Sequence, residues 1–355
     1  MLILIIIFIL LCVVINFSLR AKGWRSPRLD HFDGRKFHNF CPDFWNRPVD
    51  KKEPVEVLQY DLGFDFFFKL FFSRWRVRPL PDGPAYPATR ILGREIVVTF
   101  VNHSTVLIQT EGVNILTDPV WATRASPFPF FGPKRYMPPG VALVDLPKID
   151  LVLLSHNHYD HLDVKALRKI CDRDKPAIFT TLGNSRYLHD RKIFGAHDLD
   201  WGQSRKFSDF VTVECVPAQH FSSRALTDRN KTLWGGFVIS TPHGDIYFAG
   251  DTGYGPFIAH IRKKYPAGFR LAFLPIGAFR PAKMMRKFHM SPEDATRLCK
   301  DLKVTRAVPI HFGTFQLALD EQDEPPKFLQ RILSEPKNSD VHFDILLNGQ
   351  SLKIE

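Results

Sequence analysis

Residues 151–163 read LVLLSHNHYDHLD. Four apolar residues make a short buried strand, and the six positions from His156 to His161 then hold His156, His158, Asp160 and His161. A lone histidine is commonly a core or surface residue, but three of them beside a carboxylate at a strand end are hard to explain by packing. Imidazole nitrogens and carboxylate oxygens are ligands for zinc, and a loop leaving a strand can turn alternate side chains toward one point. The H-x-H-x-D-H spacing offers two pairs, His156 with His158 and Asp160 with His161. Four local ligands cannot complete two sites, so the pattern requires others downstream at strand ends. Three stand in such places: His220 after the apolar run 211–216, Asp251 after 246–248, and His311 after 307–310. His156, His158 and His220 are expected to hold one ion and Asp160, His161 and His311 a second, with Asp251 bridging. Each ion keeps an open position for a shared water.

Outward from this motif, β-rich patterning dominates. Strands are expected over residues 96–101, 105–109, 113–116, 151–154, 177–180, 210–216, 237–240, 246–248, 271–274 and 307–310. The clearest helix start is Ser291-Pro292-Glu293-Asp294, where serine caps, proline suits the first turn and the acids favour the positive dipole end. Two strand-rich stretches with helices interspersed imply an α/β fold of two packed sheets with helices outside.

The 355 residues carry 48 Lys+Arg against 37 Asp+Glu, a net charge of +11, with 45% hydrophobic and 24% charged residues. That composition excludes a disordered chain, a collagen and a polytopic membrane protein. Cys12, Cys41, Cys171, Cys215 and Cys299 are odd in number and scattered, without a CxxC, and read as free thiols of a reducing compartment. The basic balance suits an acidic partner. No helix-turn-helix, zinc-finger or RNP signature supports nucleic acid, which is not expected, and a membrane surface is the alternative.

Residues 1–19, MLILIIIFILLCVVINFSL, contain no charge and precede Arg20, Lys22, Arg25 and Arg28. The run is about long enough for a ~30 Å hydrocarbon core, which predicts a single-pass N-terminal anchor helix with the rest of the chain facing the cytosol. A cleaved signal peptide is the rival, but it lacks a basic n-region and a small-residue cleavage site. Residues 20–90 are taken as a juxtamembrane and amphipathic aromatic segment leading into one main domain over 91–355. Phe64, Phe67, Phe68, Phe71, Phe72 and Trp75 fall on one helical face followed by Arg74, Arg76 and Arg78, a pattern suited equally to a lipid headgroup boundary and to core packing. The loop 121–139, WATRASPFPFFGPKRYMPP, is rich in proline and aromatics and is expected either to fold rigidly onto the core or to wall an apolar pocket. Lys283, Arg286 and Lys287, just before His289, read either as a solvated face or as a surface that attracts an anionic ligand to the site.

HNHYDHLD with later His, Asp and His resembles the metallo-β-lactamase superfamily. Within it, NHSTVLI, LTDPV, ASPFPFFGPKR, VPAQHFSSR, LWGGFVI, FAGDTGY, LPIGAF, FHMSPEDA and IHFGTF are similar to the N-acyl-phosphatidylethanolamine-hydrolysing phospholipase D family, across residues 102–319. The resemblance implies a four-layer αβ/βα sandwich with a dinuclear site at one edge of the sheets. It also implies two Zn²⁺, although His and carboxylate ligands admit iron or manganese. The implied reaction is hydrolysis of a membrane phospholipid at the phosphodiester distal to glycerol, by water made acidic between the cations, giving an N-acylethanolamine and phosphatidic acid. Asp160 and Asp251 would serve catalysis, and His289 matches a family histidine near substrate that stabilises phosphate or assists the leaving alkoxide. Asp163 is expected to fix a ligand imidazole, while His103 supports the interior. The alternatives are a metallohydrolase of a lactone or another phosphodiester, and a catalytically silent lipid-binding protein.

Overall fold

The computed structural model describes residues 2–24, 29–41 and 75–355. The aromatic stretch from Phe64 to Phe72, with Arg74, lies outside those residues.

The domain opens with β1 (Ile96–Asn102), β2 (Thr105–Thr110) and β3 (Val113–Thr117), an antiparallel meander, and continues through β4 (Leu151–Leu154), α2 (Val164–Asp174), β5 (Ala177–Thr181), α3 (Asn184–His189) and β6 (Ala196–Leu199), whose strands run parallel. These six join a late strand, β13 (Ser351–Ile354), in a sheet ordered β13-β1-β2-β3-β4-β5-β6. The second sheet comprises β7 (Ser204–Lys206), β8 (Thr212–Val216), β9 (Gly236–Thr241), β10 (Gly244–Phe248), β11 (Leu271–Pro275) and β12 (Ala307–Ile310), ordered β12-β11-β10-β9-β8-β7. Helices α4 (Phe257–Lys264), α5 (Ala282–Met285), α6 (Pro292–Leu302) and α7 (Glu324–Leu333) complete the domain. Both sheets mix parallel and antiparallel pairs.

The period-2 alternation of strand side chains assigns the faces. Leu151 and Leu153 of β4 join Val98, Phe100 and Ile108 in a core shared with Val213, Phe237 and Phe273 of the other sheet. Val152 and Leu154 point the opposite way, into a separate cluster with Leu167 and Ile170 of α2 and Tyr187 and Leu188 of α3. Phe257, Ile261, Leu298 and Leu329 cover the second sheet from α4, α6 and α7. The result is helix, sheet, sheet, helix, with the central strands such as β4 and β11 buried on both faces and correspondingly apolar. α6 starts as the sequence predicts, with Ser291 and Asp294 in a reciprocal capping box. β6, β7 and β13 were not predicted. They are short, and β7 is exposed along its length, so neither alternation nor an apolar run marks them.

The expectation of a single-pass anchor is corrected. Among the described residues no helix is long and apolar enough to cross a membrane. The first helix, α1 (Leu2–Leu19), has 18 residues, a length of about 27 Å against a core of ~30 Å. Its last turn is also engaged by the domain. Asn16 donates to Thr227 Oγ1 over 2.9 Å, and Arg191 donates to the carbonyls of Ser18 and Leu19. The cytosol-facing orientation inferred from a span falls with it. All five cysteines are unpaired.

Candidate metal centre

The expected ligands leave strand ends on one edge of the two sheets. β4 delivers residues 156–161, β8 leads to His220, β10 to Asp251, and β12 to His311. Close backbone approaches make this possible. Gly250 has φ +59°, and a Cβ there would stand 2.7 Å from Cβ of Ser155; a Cβ on Gly277 would stand 2.0 Å from the His311 carbonyl. His311 itself is left-handed (φ 63°), as are His103 (φ 47°) and Asp118 (φ 31°), conformations that non-glycine residues keep where surrounding structure enforces them. The His311 N–H donates to the His103 carbonyl.

Two ligand groups form. In the first, His158 Nδ1 lies 2.9 Å from His156 Nε2 and 3.2 Å from His220 Nε2. The far nitrogens of two rings are already committed: His220 Nδ1 donates to the Phe288 carbonyl, and His156 Nδ1 donates to Ser155 Oγ, which donates to Asp118. Three ring lone pairs therefore face one another, an arrangement that a shared cation satisfies and hydrogen bonding cannot. In the second group, Asp160 Oδ2 lies 3.3 Å from His161 Nε2 and 3.3 Å from His311 Nε2. Asp251 stands between the groups. Its Oδ2 is 3.1 Å from His161 and His311, 3.7 Å from His220 and 3.9 Å from His156. Both Asp251 oxygens and His161 Nε2 are buried without a hydrogen-bond partner. Seven converging nitrogen and oxygen side chains, with orphaned buried atoms on Asp251 and His161 at their centre, fit a pair of divalent ions.

The electrostatics divide along the same line. Burial, reinforced by neighbouring imidazoles, holds His156 and His220 well below the ordinary histidine range and His158 at about 4, so all three present neutral lone pairs. Burial also opposes charge on His161 and His311, but Asp251 and Asp160 overcome it, lifting His161 well above its ordinary value and His311 to about 9.

His289 sits beside the ligands, its Nδ1 3.9 Å from Asp251 Oδ2 and its ring 5.0 Å from that of His220. Burial holds it at about 3. Lys283 lies on α5, and Arg286 and Lys287 in the turn that follows it and leads to His289. Asp163 is corrected: its Oδ1 accepts from the backbone N–H of Lys165 and Ala166 and so caps α2. The carboxylate that orients ligand imidazoles is Asp118, which accepts from His161 Nδ1 over 2.7 Å and from the Ser155 hydroxyl and N–H. His103 is also closer to the chemistry than expected, with Nε2 3.0 Å from Asp160 Oδ2. Arg224 braces the ligand loop, donating to the carbonyls of Asn157 and Leu162 while stacking 3.7 Å over Tyr159. At the base of the aromatic loop Arg135 donates to Asn102, Val120 and Ala122, whereas Phe130 and Phe131 at its tip are exposed.

A fold of two mixed sheets with this ligand set defines a metal-dependent hydrolase class. Residues 113–312 match the model of the Beta-lactamase superfamily domain, and the chain belongs to that superfamily as a hydrolase of metallo-β-lactamase fold. It is 37% identical over 243 residues to N-acyl-phosphatidylethanolamine-hydrolyzing phospholipase D 1 of Caenorhabditis elegans, covering 65% of this chain and 68% of that one. It is 31% identical over 240 residues to the mitochondrial N-acyl-phosphatidylethanolamine-hydrolyzing phospholipase D of Saccharomyces cerevisiae, covering 66% and 51%. Among solved structures, the metallo hydrolase Igni18 of Ignicoccus hospitalis aligns with TM-score 0.56 at 23% identity, over 74% of this chain and 99% of that one.

Proposed function

We propose that this hydrolase is a zinc-dependent phosphodiesterase of phospholipase D type. It cleaves N-acyl-phosphatidylethanolamine, met at a membrane surface, to an N-acylethanolamine and phosphatidic acid. The observation that carries the reading is Asp251 Oδ2 within 3.9 Å of imidazole nitrogens from both ligand groups, in a chain 37% identical to the nematode enzyme. Two divalent ions held there would acidify a shared water and neutralise a phosphoryl oxygen. The nitrogen and oxygen ligands suit zinc and contain no thiolate.

The protein's own contribution is orientation and proton placement. Asp251 joins the two ligand groups, and Asp160 is fixed by His103, so the reacting groups meet without side-chain reorganisation. His289 is neutral at physiological pH. It therefore acts as a hydrogen-bond donor to phosphate or to the departing alkoxide rather than as a standing cation. Mass spectrometry of products from a mixed phospholipid extract tests the assignment. Wild type should release N-acylethanolamine and phosphatidic acid, with neither from H158A or D251A. Turnover of a lactone or another phosphodiester alone would replace it.

A further inference from the structure

Phe221 and Phe288 form an aromatic shelf against the metal-ligating histidines. The Phe221 ring lies 4.5 Å from that of His158 and 4.8 Å from that of His220, and the Phe288 ring is 4.9 Å from Phe221. On this shelf rests Arg229, its guanidinium carbon 4.1 Å from the Phe221 centroid and 5.8 Å from that of Phe288. Arg229 is exposed, and it has no hydrogen-bond or carboxylate partner among the described residues. His158 is half-buried where His156, His161, His220 and His311 are buried, so the centre opens toward solvent on the side where the shelf stands.

Stacking occupies the faces of a guanidinium and leaves its edge free. All five N–H donors lie in that plane and form a fork matched to phosphoryl oxygens. The two rings also strip water from the cation, which lowers its pKa from the ordinary arginine value and reduces the hydration lost when an anion arrives. Arg224, five residues earlier, is a useful contrast, because its guanidinium is consumed by the carbonyls of Asn157 and Leu162.

We propose that Arg229 is an anion-recognising residue at the mouth of the metal centre, pairing through its edge with phosphoryl oxygens of substrate and product. The identity of that substrate rests on the phosphodiesterase reading; the affinity for a phosphoryl anion does not. Arg229 accordingly separates anionic phosphodiesters from neutral esters and lactones, which offer its edge no charged oxygen.

The test compares wild type, R229Q and R229K as metal-loaded proteins. One arm is steady-state hydrolysis of N-acyl-phosphatidylethanolamine in phosphatidylcholine vesicles, and the other is binding of inorganic phosphate by calorimetry. R229Q should raise KM and the phosphate Kd by about 10-fold each, as loss of charge-assisted hydrogen bonds requires, with kcat within about twofold and metal content unchanged. R229K should recover part of the phosphate affinity, since it keeps charge but loses the fork. Unchanged phosphate affinity in R229Q overturns the proposal, and so does an affinity loss that follows loss of metal. A wild type that leaves the lipid intact yet binds phosphate in an Arg229-dependent way overturns the phospholipase reading and sustains this one.

Discussion

The side-chain amide of Asn39 donates to the backbone carbonyl of His220 and accepts from its backbone N–H, both over 3.0 Å. Trp234 donates its indole N–H to the same amide oxygen. A residue well upstream of the matched superfamily domain thus fixes the loop of a metal ligand, and the segment around it is part of the centre's support.

Asn39→Ala removes all three bonds and leaves the His220 loop to find its own position. Affinity at the His156, His158 and His220 position should fall by about 10-fold, while the Asp160, His161 and His311 position keeps its own. Equilibrium dialysis against zinc reads the two separately, and equal affinities in variant and wild type would remove Asn39 from this role. A protein beginning at residue 91 should share the defect.

Asp118→Asn preserves shape but offers His161 an amide instead of a carboxylate. The ring's proton is then no longer drawn to Nδ1, and Nε2, the atom facing Asp160 and Asp251, ceases to be a dependable lone pair. Metal affinity at that position should drop ~10–100-fold. The absorption bands of the cobalt-substituted protein should change for one of the two ions, and a spectrum identical to wild type would contradict the assignment.

Stability of the ion-free protein should peak near neutrality. His311, raised from 6.5 to about 9, and His161, raised as well, contribute stability that is full below the unfolded value and disappears as pH rises through the folded one. His156, His158, His220 and His289 are lowered, so as pH falls below 6.5 the unfolded chain takes up protons that the folded chain refuses. Urea denaturation of the chelated protein across pH 5–9 checks the dome. Metal loading near pH 7.5 should release about two protons, from His161 and His311, measurable in calorimetry by varying buffer ionisation enthalpy.

Gly250→Ala places a methyl 2.7 Å from Cβ of Ser155 at φ +59°. Left-handed strain and overpacking together should cost about 2–4 kcal/mol and weaken metal binding through Asp251. Gly313, at φ +70° with open space around it, is the control. Its alanine variant should lose only the ~1–2 kcal/mol of backbone strain, as chemical denaturation will report.

The seven candidate ligands, whose side chains the structure brings together, could be picked out because chemically unusual residues gather where the strand pattern stops. Their supports could not. Asp118 is one aspartate in a turn, and nothing in LTDPV marks a side chain that will meet Ser155 and His161 from 37 and 43 residues away. Asp163 was misread because it lies beside the ligands in sequence, whereas its carboxylate follows the local rule for a helix start. Residues 1–19 read as a span on apolar content, approximate length and the basic flank. Those features register neither that the helix stops at 18 residues nor that its last turn is tied to Thr227 and Arg191.

Thr99 of β1 and Ser351 of β13 share a hydrogen bond across 252 positions. Until residues 351–354 leave the ribosome, β1 presents a bare row of amides to its surroundings, an invitation to intermolecular pairing. That border is expected to need shielding during translation, and the nascent chain is where chaperone demand should concentrate.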